Sequence, residues 1–332
     1  VLISVNSIII ILENWSNLAM RYVLWLNETN PGDENRVGEK AAVLAELIRL
    51  GLEVPLGFCL SSEAYQDILT AHGMMAKISA RLDAIDVGDP AQLEQAAEEI
   101  RRWICDVPFA DDVAQEIQSS LDIMHSKFFA VRSSRTLTEV PDQASSGLHQ
   151  AHLGVPMRQV LDAIRKCWAT PWNSRAIYFR YRKKIGNDRV SIAVIVQTMI
   201  HSTAAGVLFT ASPSGSRVDE MHIDGIWGLG EAVNAARWKP DHYVLDNATG
   251  AIREKSIATK TVMQVVAPHG GLQTIGVPDE KQTMGCLTDA QIMSLATIGK
   301  KAQAHFGASQ DIGWCSLDDR IFVLQSRALG KK

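Results

Sequence analysis

Three short clusters carry the residue types that grip phosphate. Gly38-Glu39-Lys40 stands at the start of a helical pattern. A helix start attracts anions, and a lysine beside it adds a point charge. Val131-Arg132-Ser133-Ser134 ends a short apolar run. Its guanidinium fork and hydroxyls, followed by a loop, are the groups that hold a triphosphate. Leu324-Gln325-Ser326-Arg327 closes another strand-like run with an amide and a second arginine. Taken singly, each cluster reads equally as ordinary surface: a solvated helix start or a strand-end ion pair. The better-known nucleotide motifs fail. Gly32 to Lys40 has the wrong spacing for a Walker loop and lacks the hydroxyl after its lysine. Gly228-Leu229-Gly230-Glu231 is not GxGxxG, and neither GxSxG nor HExxH occurs.

The elements that must position these clusters follow from periodicity. Residues 38–51 place Ala41, Leu44, Leu47 and Ile48 at helical spacing, with Gly51 as the C-terminal cap. Polar helices are predicted over 90–105 and 111–124, and a buried strand over 128–131 leading into Arg132. Residues 136–150 show no period and read as a long functional loop. Pro156 suits the first turn of a helix to Trp168, and a second helix spans 173–183. Residues 190–200 are β-branched and nearly continuously apolar, which marks a central strand. Short strands follow at 206–210 and 220–226. Thr288 caps a helix running to Gly307, and strands at 311–316 and 320–326 close the chain. Helices and strands in this order predict an α+β or mixed enzyme fold with two lobes.

Composition narrows the function. The chain has 332 residues, enough for about two domains or lobes at roughly 150 residues each. Lys plus Arg number 33 and Asp plus Glu 37, a net charge of −4, so no basic excess suggests nucleic-acid binding. Five dispersed cysteines without a CxxC argue against a disulfide framework or zinc knuckle and for a reducing, cytoplasmic setting. Residues 1–12 are apolar but shorter than the roughly 20 residues a membrane span needs, and no basic run precedes them. Residues 1–19 are read as an upstream extension, with an extra edge strand as the alternative.

Read together and in order, these stretches resemble the N-terminal ATP-binding domain of the phosphoenolpyruvate synthase, pyruvate phosphate dikinase and rifampin phosphotransferase family. The resemblance rests on VGEKAAVLAELIRLGLEVPLGFCLSSEAY (37–65), FAVRSSRTLTEVPDQASSG (129–147), VIVQTMIHSTAAGVLFTASP (194–213), WGLGEAV (227–233), KPDHYVLD (239–246) and QDIGWCSLDDRIFVLQSR (310–327). It covers nearly all of residues 21–328 and implies one ATP-binding domain over 20–332. The fold it implies is ATP-grasp-type, with two α+β lobes clamping ATP and Mg²⁺ at the phosphates. ATP would be split to AMP and phosphate. A phosphoryl group would pass to a histidine on a swivelling domain and then to a small-molecule acceptor. By the same resemblance Lys40 and Arg132 contact phosphates, and Gly147 lies in the loop closing over them. Gln197 ends the buried strand, and the backbone of Thr198 and Met199 meets adenine, with Glu231 a second contact. Gln325 binds metal, and Arg327 holds the transferred group.

The chain departs from the family pattern in places that matter. The family's QDIE is Gln310-Asp311-Ile312-Gly313, so the carboxylate ligand of the metal is missing. Strand alternation puts Asp311 on the same face, about 6–7 Å away, as a replacement ligand; Asp318 and Asp319 are further candidates. Glu39 replaces the second glycine of Gly-Gly-Lys, and Gln150-Ala151 replaces Asp-Thr. No Gly-Gly-x-x-Ser/Thr-His occurs; His269-Gly270-Gly271 has the elements in the wrong order. His149 and His152 have the spacing of one helical face but lack further metal ligands. Three readings follow: an ATP-dependent phosphotransferase component serving a histidine on another chain, a nucleotide-binding regulatory module retired by Gly313, or a fragment of a longer enzyme.

Overall fold

The computed structural model describes residues 22–136, 151–212, 219–230 and 238–330. In chain order, β1 (Val23–Trp25) leads to α1 (Glu34–Arg49) and β2 (Gly57–Leu60). Four helices follow: α2 (Ser62–Ala71), α3 (Met74–Asp83), α4 (Pro90–Cys105) and α5 (Asp111–Ile123). Strands β3 (Phe128–Arg135) and β4 (Ala151–Pro156) precede α6 (Val160–Ala169) and α7 (Ser174–Lys183). Next come β5 (Ile192–Thr198), β6 (Ala204–Phe209), β7 (Glu220–Trp227), β8 (Asp241–Asp246) and β9 (Ile252–Ser256). The hairpin β10 (Val262–Val266) and β11 (Leu272–Gly276), helix α8 (Asp289–Phe306), and the hairpin β12 (Gln310–Leu317) and β13 (Arg320–Ala328) complete the chain. The fold is α+β.

Two antiparallel sheets organise these elements. The first has strand order β1-β2-β5-β3-β4, the second β13-β12-β6-β7-β8-β9. Strand β5 shows why its sequence is almost unbroken in apolar residues. Val194 and Val196 join one buried cluster, with Trp168 and Tyr65. Ala193 and Ile195 join another, with Ala41, Leu44 and Leu47 of α1. A strand covered on both faces needs apolar residues at both parities. The second cluster also contains Ile312 and Val323 of the second sheet and Ile292 and Leu295 of α8, so α1 shares a core with both sheets. Val323 N–H donates to Glu53 O (2.7 Å), tying β13 to the segment after α1.

Helix boundaries follow the capping chemistry. Asp89 accepts from the N–H groups of Ala91 and Gln92, and Pro90 occupies the first position of α4. Gly51, at φ 72°, closes α1: its N–H donates to Ile48 O, and Leu52 N–H donates to Leu47 O. Thr288 and Gln291 form a reciprocal capping box on α8. Thr288→Ala is expected to lower stability by about 1 kcal/mol, read as a lower denaturant midpoint with an unchanged m-value.

Three expectations need correction. Helix α1 starts at Glu34 rather than residue 38, and Gly38 interrupts it at φ 76°, ψ 164°. Pro156 ends strand β4 instead of opening a helix, and a 3₁₀ turn over Met157–Gln159 intervenes before α6. Strand β4 is an edge strand, where a proline does not interrupt a ladder on its outer side. His152 therefore sits on a strand and not on a helical face. The expectations for residues 1–19, for His149, and for all of the predicted loop but Thr136 lie outside the described residues.

Candidate nucleotide site

A cleft of about 500 Å³ collects most of the residues singled out from sequence. It is lined by Lys40 of α1, Arg132 of β3, Gln197 and Thr198 of β5, Met199 beyond it, and Gln325 and Arg327 of β13. Gly147 and Glu231 lie outside the described residues. Asp311 lies beside the cleft, not in its lining. A wider depression of about 700 Å³ along β4 and α6 shares Ala151 and Leu153 with the cleft but holds none of these groups.

The position of Lys40 depends on Gly38. A Cβ at residue 38 would stand 2.3 Å from Arg135 O and 2.7 Å from Ser134 C. The interrupted turn thus lies directly on the backbone of β3, and only glycine combines this approach with a positive φ. One residue beyond Glu39, which is exposed, Lys40 Nζ donates to Ser133 O (3.3 Å). Ala41 N–H donates to Ser134 Oγ (3.2 Å). The first two clusters of the sequence thereby become one unit. Gly38→Ala is expected to cost about 2 kcal/mol of stability and to weaken any anion binding that uses Lys40. Denaturant unfolding and calorimetric titration measure the two effects.

Arg132 reaches from the first sheet to the second: its Nη1 donates to Leu324 O (3.0 Å). Arg327 is largely exposed, and its Nε and Nη2 both donate to Asp311 Oδ2 (2.8 and 2.6 Å). Asp311 is itself buried, and its Oδ1 has no hydrogen-bond partner. The register explains the pair, because Asp311 lies directly opposite Arg327 across β12 and β13. Gln197 is buried, and its Nε2 donates to Pro55 O (3.1 Å). The N–H groups of Thr198 and Met199 extend the ladder, donating to Leu56 O (2.8 Å) and Phe128 O (3.0 Å). The thiol of Cys315, also in the lining, is pushed up to about 12 by burial, against a smaller opposing effect of Arg132. It therefore stays protonated and is a poor nucleophile.

The electrostatics of the lining favour an anion. It contains three cationic side chains, Lys40, Arg132 and Arg327, and no carboxylate among the described residues. Near the cations, Leu44, Ile195, Leu153 and Leu229 supply apolar surface. Ala130, Met199 and Leu229 form a small buried cluster with Phe128, covered in part by Val266 and Leu272 of the β10–β11 hairpin. This hairpin is the component that sequence reasoning missed. It crosses from one sheet to the other: Gly271 N–H donates to Gly154 O of β4 (2.8 Å), and Leu229 N–H donates to Gln264 O (2.9 Å). Gly270 and Gly271, at φ 102° and 73°, make its turn. A Gly-Gly pair between two β-rich runs was the available signal.

Residues 34–332 match the family model described as pyruvate phosphate dikinase, AMP/ATP-binding domain. The chain belongs to this family. It is 32% identical over 93% of its length to a probable phosphoenolpyruvate synthase of Methanothermobacter thermautotrophicus, covering 46% of that protein. It is 31% identical over 94% of its length to the phosphoenolpyruvate synthase of Pyrococcus furiosus, covering 44%. It is 33% identical over 92% of its length to the rifampicin phosphotransferase of Bacillus subtilis, covering 36%. The chain thus spans less than half the length of these relatives. Gly313 lines the cleft beside Gln325, and a Cβ there would stand 2.8 Å from Gln325 Cγ. The amide side chain occupies the space where a side chain at 313 would begin.

The donor set also bears on magnesium. Mg²⁺ demands octahedral oxygen ligation and usually takes one or two carboxylates besides substrate phosphates. The described lining has none, and Asp311 is engaged with Arg327. Among the described residues no group of three metal-ligating side chains converges on one point. These residues fit a polyphosphate and do not fit a magnesium ion held by the protein.

Proposed function

We propose that the chain binds ATP in this cleft as the nucleotide-splitting component of a phosphotransferase. The observation that carries the reading is the convergence of Lys40, Arg132 and Arg327 in a lining without carboxylates. The two sheets act as the lobes of an ATP-grasp-type clamp, with the triphosphate between α1, β3 and β13. The base lies against Met199 and Leu229, meeting side chains and carbonyl edges at Thr198 and Met199 rather than their engaged N–H groups. Any magnesium would be carried by the phosphates; Gln325 would offer it a side-chain oxygen, while Asp311 stays paired with Arg327.

In this reading the bond between the α- and β-phosphates breaks. AMP leaves, the β-phosphoryl group passes to a histidine on another domain or protein, and the γ-phosphate leaves as inorganic phosphate after hydrolysis by water. The histidine then serves a small-molecule acceptor. Lys40 and Arg132 hold the charge that shifts toward the leaving oxygen, which is positioning and charge neutralisation rather than covalent catalysis by this chain. A cytoplasmic setting is consistent with five free cysteines, four of them buried. Among the described residues no helix is long and apolar enough to cross a membrane.

Gly313 favours a second reading, a nucleotide-binding module without turnover. One experiment separates them: calorimetric titration with ATP, with and without Mg²⁺, followed by assay of AMP release with a histidine-bearing domain supplied in trans. ATP binding with AMP release supports the phosphotransferase component. Binding without AMP release supports the module, and no binding overturns both.

A further inference from the structure

Strands β7 and β8 carry two histidines that the nucleotide site does not use. Their neighbours Met221, Ile223, Tyr243 and Leu245 point into the second core. By alternation Glu220, His222, Asp224 and His242 share the opposite face. Asp224 lies opposite His242, and both belong to the cross-strand row that runs through Val207 to Gly313. Neither histidine lines the cleft, whose nearest lining residue in this row, Val207, is two strand spacings, about 10 Å, from His242.

The two imidazoles face each other. His222 Nδ1 and His242 Nε2 are 3.4 Å apart, and the ring centroids 5.4 Å. The outer nitrogen of His242 is held by a carboxylate, with Nδ1 2.6 Å from Asp224 Oδ1, whereas His222 Nε2, 3.6 Å from Glu220 Oε2, makes no hydrogen bond among the described residues. The Asp224 contact places the proton of His242 on Nδ1 and leaves the Nε2 lone pair directed at His222. Zinc bonds of about 2.0–2.1 Å to two nitrogens at this separation subtend about 110°, close to the tetrahedral angle. A carboxylate on the outer nitrogen, as Asp224 is on His242, orients a metal-bound histidine and raises its basicity. His242 is about two-fifths exposed and His222 mostly buried, so an ion can enter from the His242 side.

We propose that His222 and His242 form a two-imidazole site for a divalent late transition metal ion such as zinc, with His242 oriented by Asp224. Water completes the coordination, since the described residues bring no third ligating side chain to the point. Imidazole suits zinc, nickel and copper, whereas Mg²⁺ prefers oxygen, so the site is chemically separate from any magnesium carried by a nucleotide.

The test uses the whole chain, stripped with a chelator and titrated with ZnCl₂ alone by calorimetry. One zinc per chain is expected, with a dissociation constant on the order of 10 µM and no competition from millimolar Mg²⁺. His242→Gln should weaken binding at least 10-fold, and Asp224→Asn, which touches only the outer nitrogen, about 10-fold. Circular dichroism of each variant checks the fold. Saturating zinc should raise the melting temperature of the parent and leave that of a His222→Gln/His242→Gln double variant unmoved. Zinc affinity within threefold of the parent in a folded double variant overturns the proposal, as does a parent that binds no zinc at 1 mM.

Discussion

Arg132→Met is expected to lower the affinity for ATP by about 100-fold, about 2.7 kcal/mol, with calorimetry at fixed ionic strength as the check. The guanidinium lines a cleft whose described side chains carry no compensating carboxylate. A charge-assisted hydrogen bond to phosphate contributes about 1.5–3 kcal/mol, and a two-pronged contact reaches the upper part of that range. Lys40→Met should cost less, about 10-fold, because an ammonium offers a point charge rather than a planar fork. Arg132 also donates to Leu324 O, so its loss loosens the contact between the sheets as well. Arg132→Lys separates the charge from the fork and its tie to β13. If charge alone matters, lysine restores most of the affinity; if the fork and its tie to β13 matter, it restores less than a tenth. ATP affinity within threefold of the parent in Arg132→Met removes this residue from the site.

The parts of the fold that were legible in sequence are those in which one local rule determines the outcome. Helix α4 was readable from its polar helical stretch, and α8 from Thr288 and Gly307. Strand β5 was readable because burial on both faces leaves a run of apolar residues that no solvent-facing strand shows. The β10–β11 hairpin was not, because its strands are only half buried or exposed and their sequence keeps no clean alternation. Nor was the break in α1, since Ala41, Leu44 and Leu47 keep their helical spacing beyond it. What demands Gly38 is the backbone of β3, roughly a hundred residues away in the chain.

The candidate site divides in the same way. The clusters at Lys40, Arg132 and Gln325–Arg327 announced their chemistry by residue type, and the structure brings them to one cleft. Their partners were set by register. Asp311 faces Arg327 because β12 and β13 pair those two residues, and the register shifts between Gly313 and Trp314. Strand alternation alone could place Asp311 on the face of residue 313. It could not foresee that Arg327, which the resemblance assigns to the transferred group, would engage that carboxylate. The His222–His242 pair was invisible for a similar reason: twenty residues separate two histidines that become neighbours only through the β7–β8 pairing.

Gly313→Glu is expected to make ATP binding depend on Mg²⁺. In the parent, the described lining offers magnesium no carboxylate, so Mg²⁺ should change the ATP affinity by less than about threefold. A glutamate at 313 projects from β12 beside Gln325. Its Cβ meets Gln325 Cγ, so the amide side chain must swing aside, at a cost of about 1 kcal/mol of stability. Without Mg²⁺, the new carboxylate repels the phosphates and weakens ATP binding about 100-fold, the order expected for like charges about 6 Å apart at an effective dielectric of about 20. With Mg²⁺ it becomes a ligand, and the affinity returns to the parent's value or exceeds it. The ratio of affinities with and without Mg²⁺ should therefore rise to about 100-fold or more. If the ratio stays at the parent's value while the variant remains folded, residue 313 does not face the phosphates. If the parent already shows a large ratio, another carboxylate serves the metal and Gly313 has not retired the site. The two titrations thus distinguish a lining that has lost its metal ligand from one that has moved it.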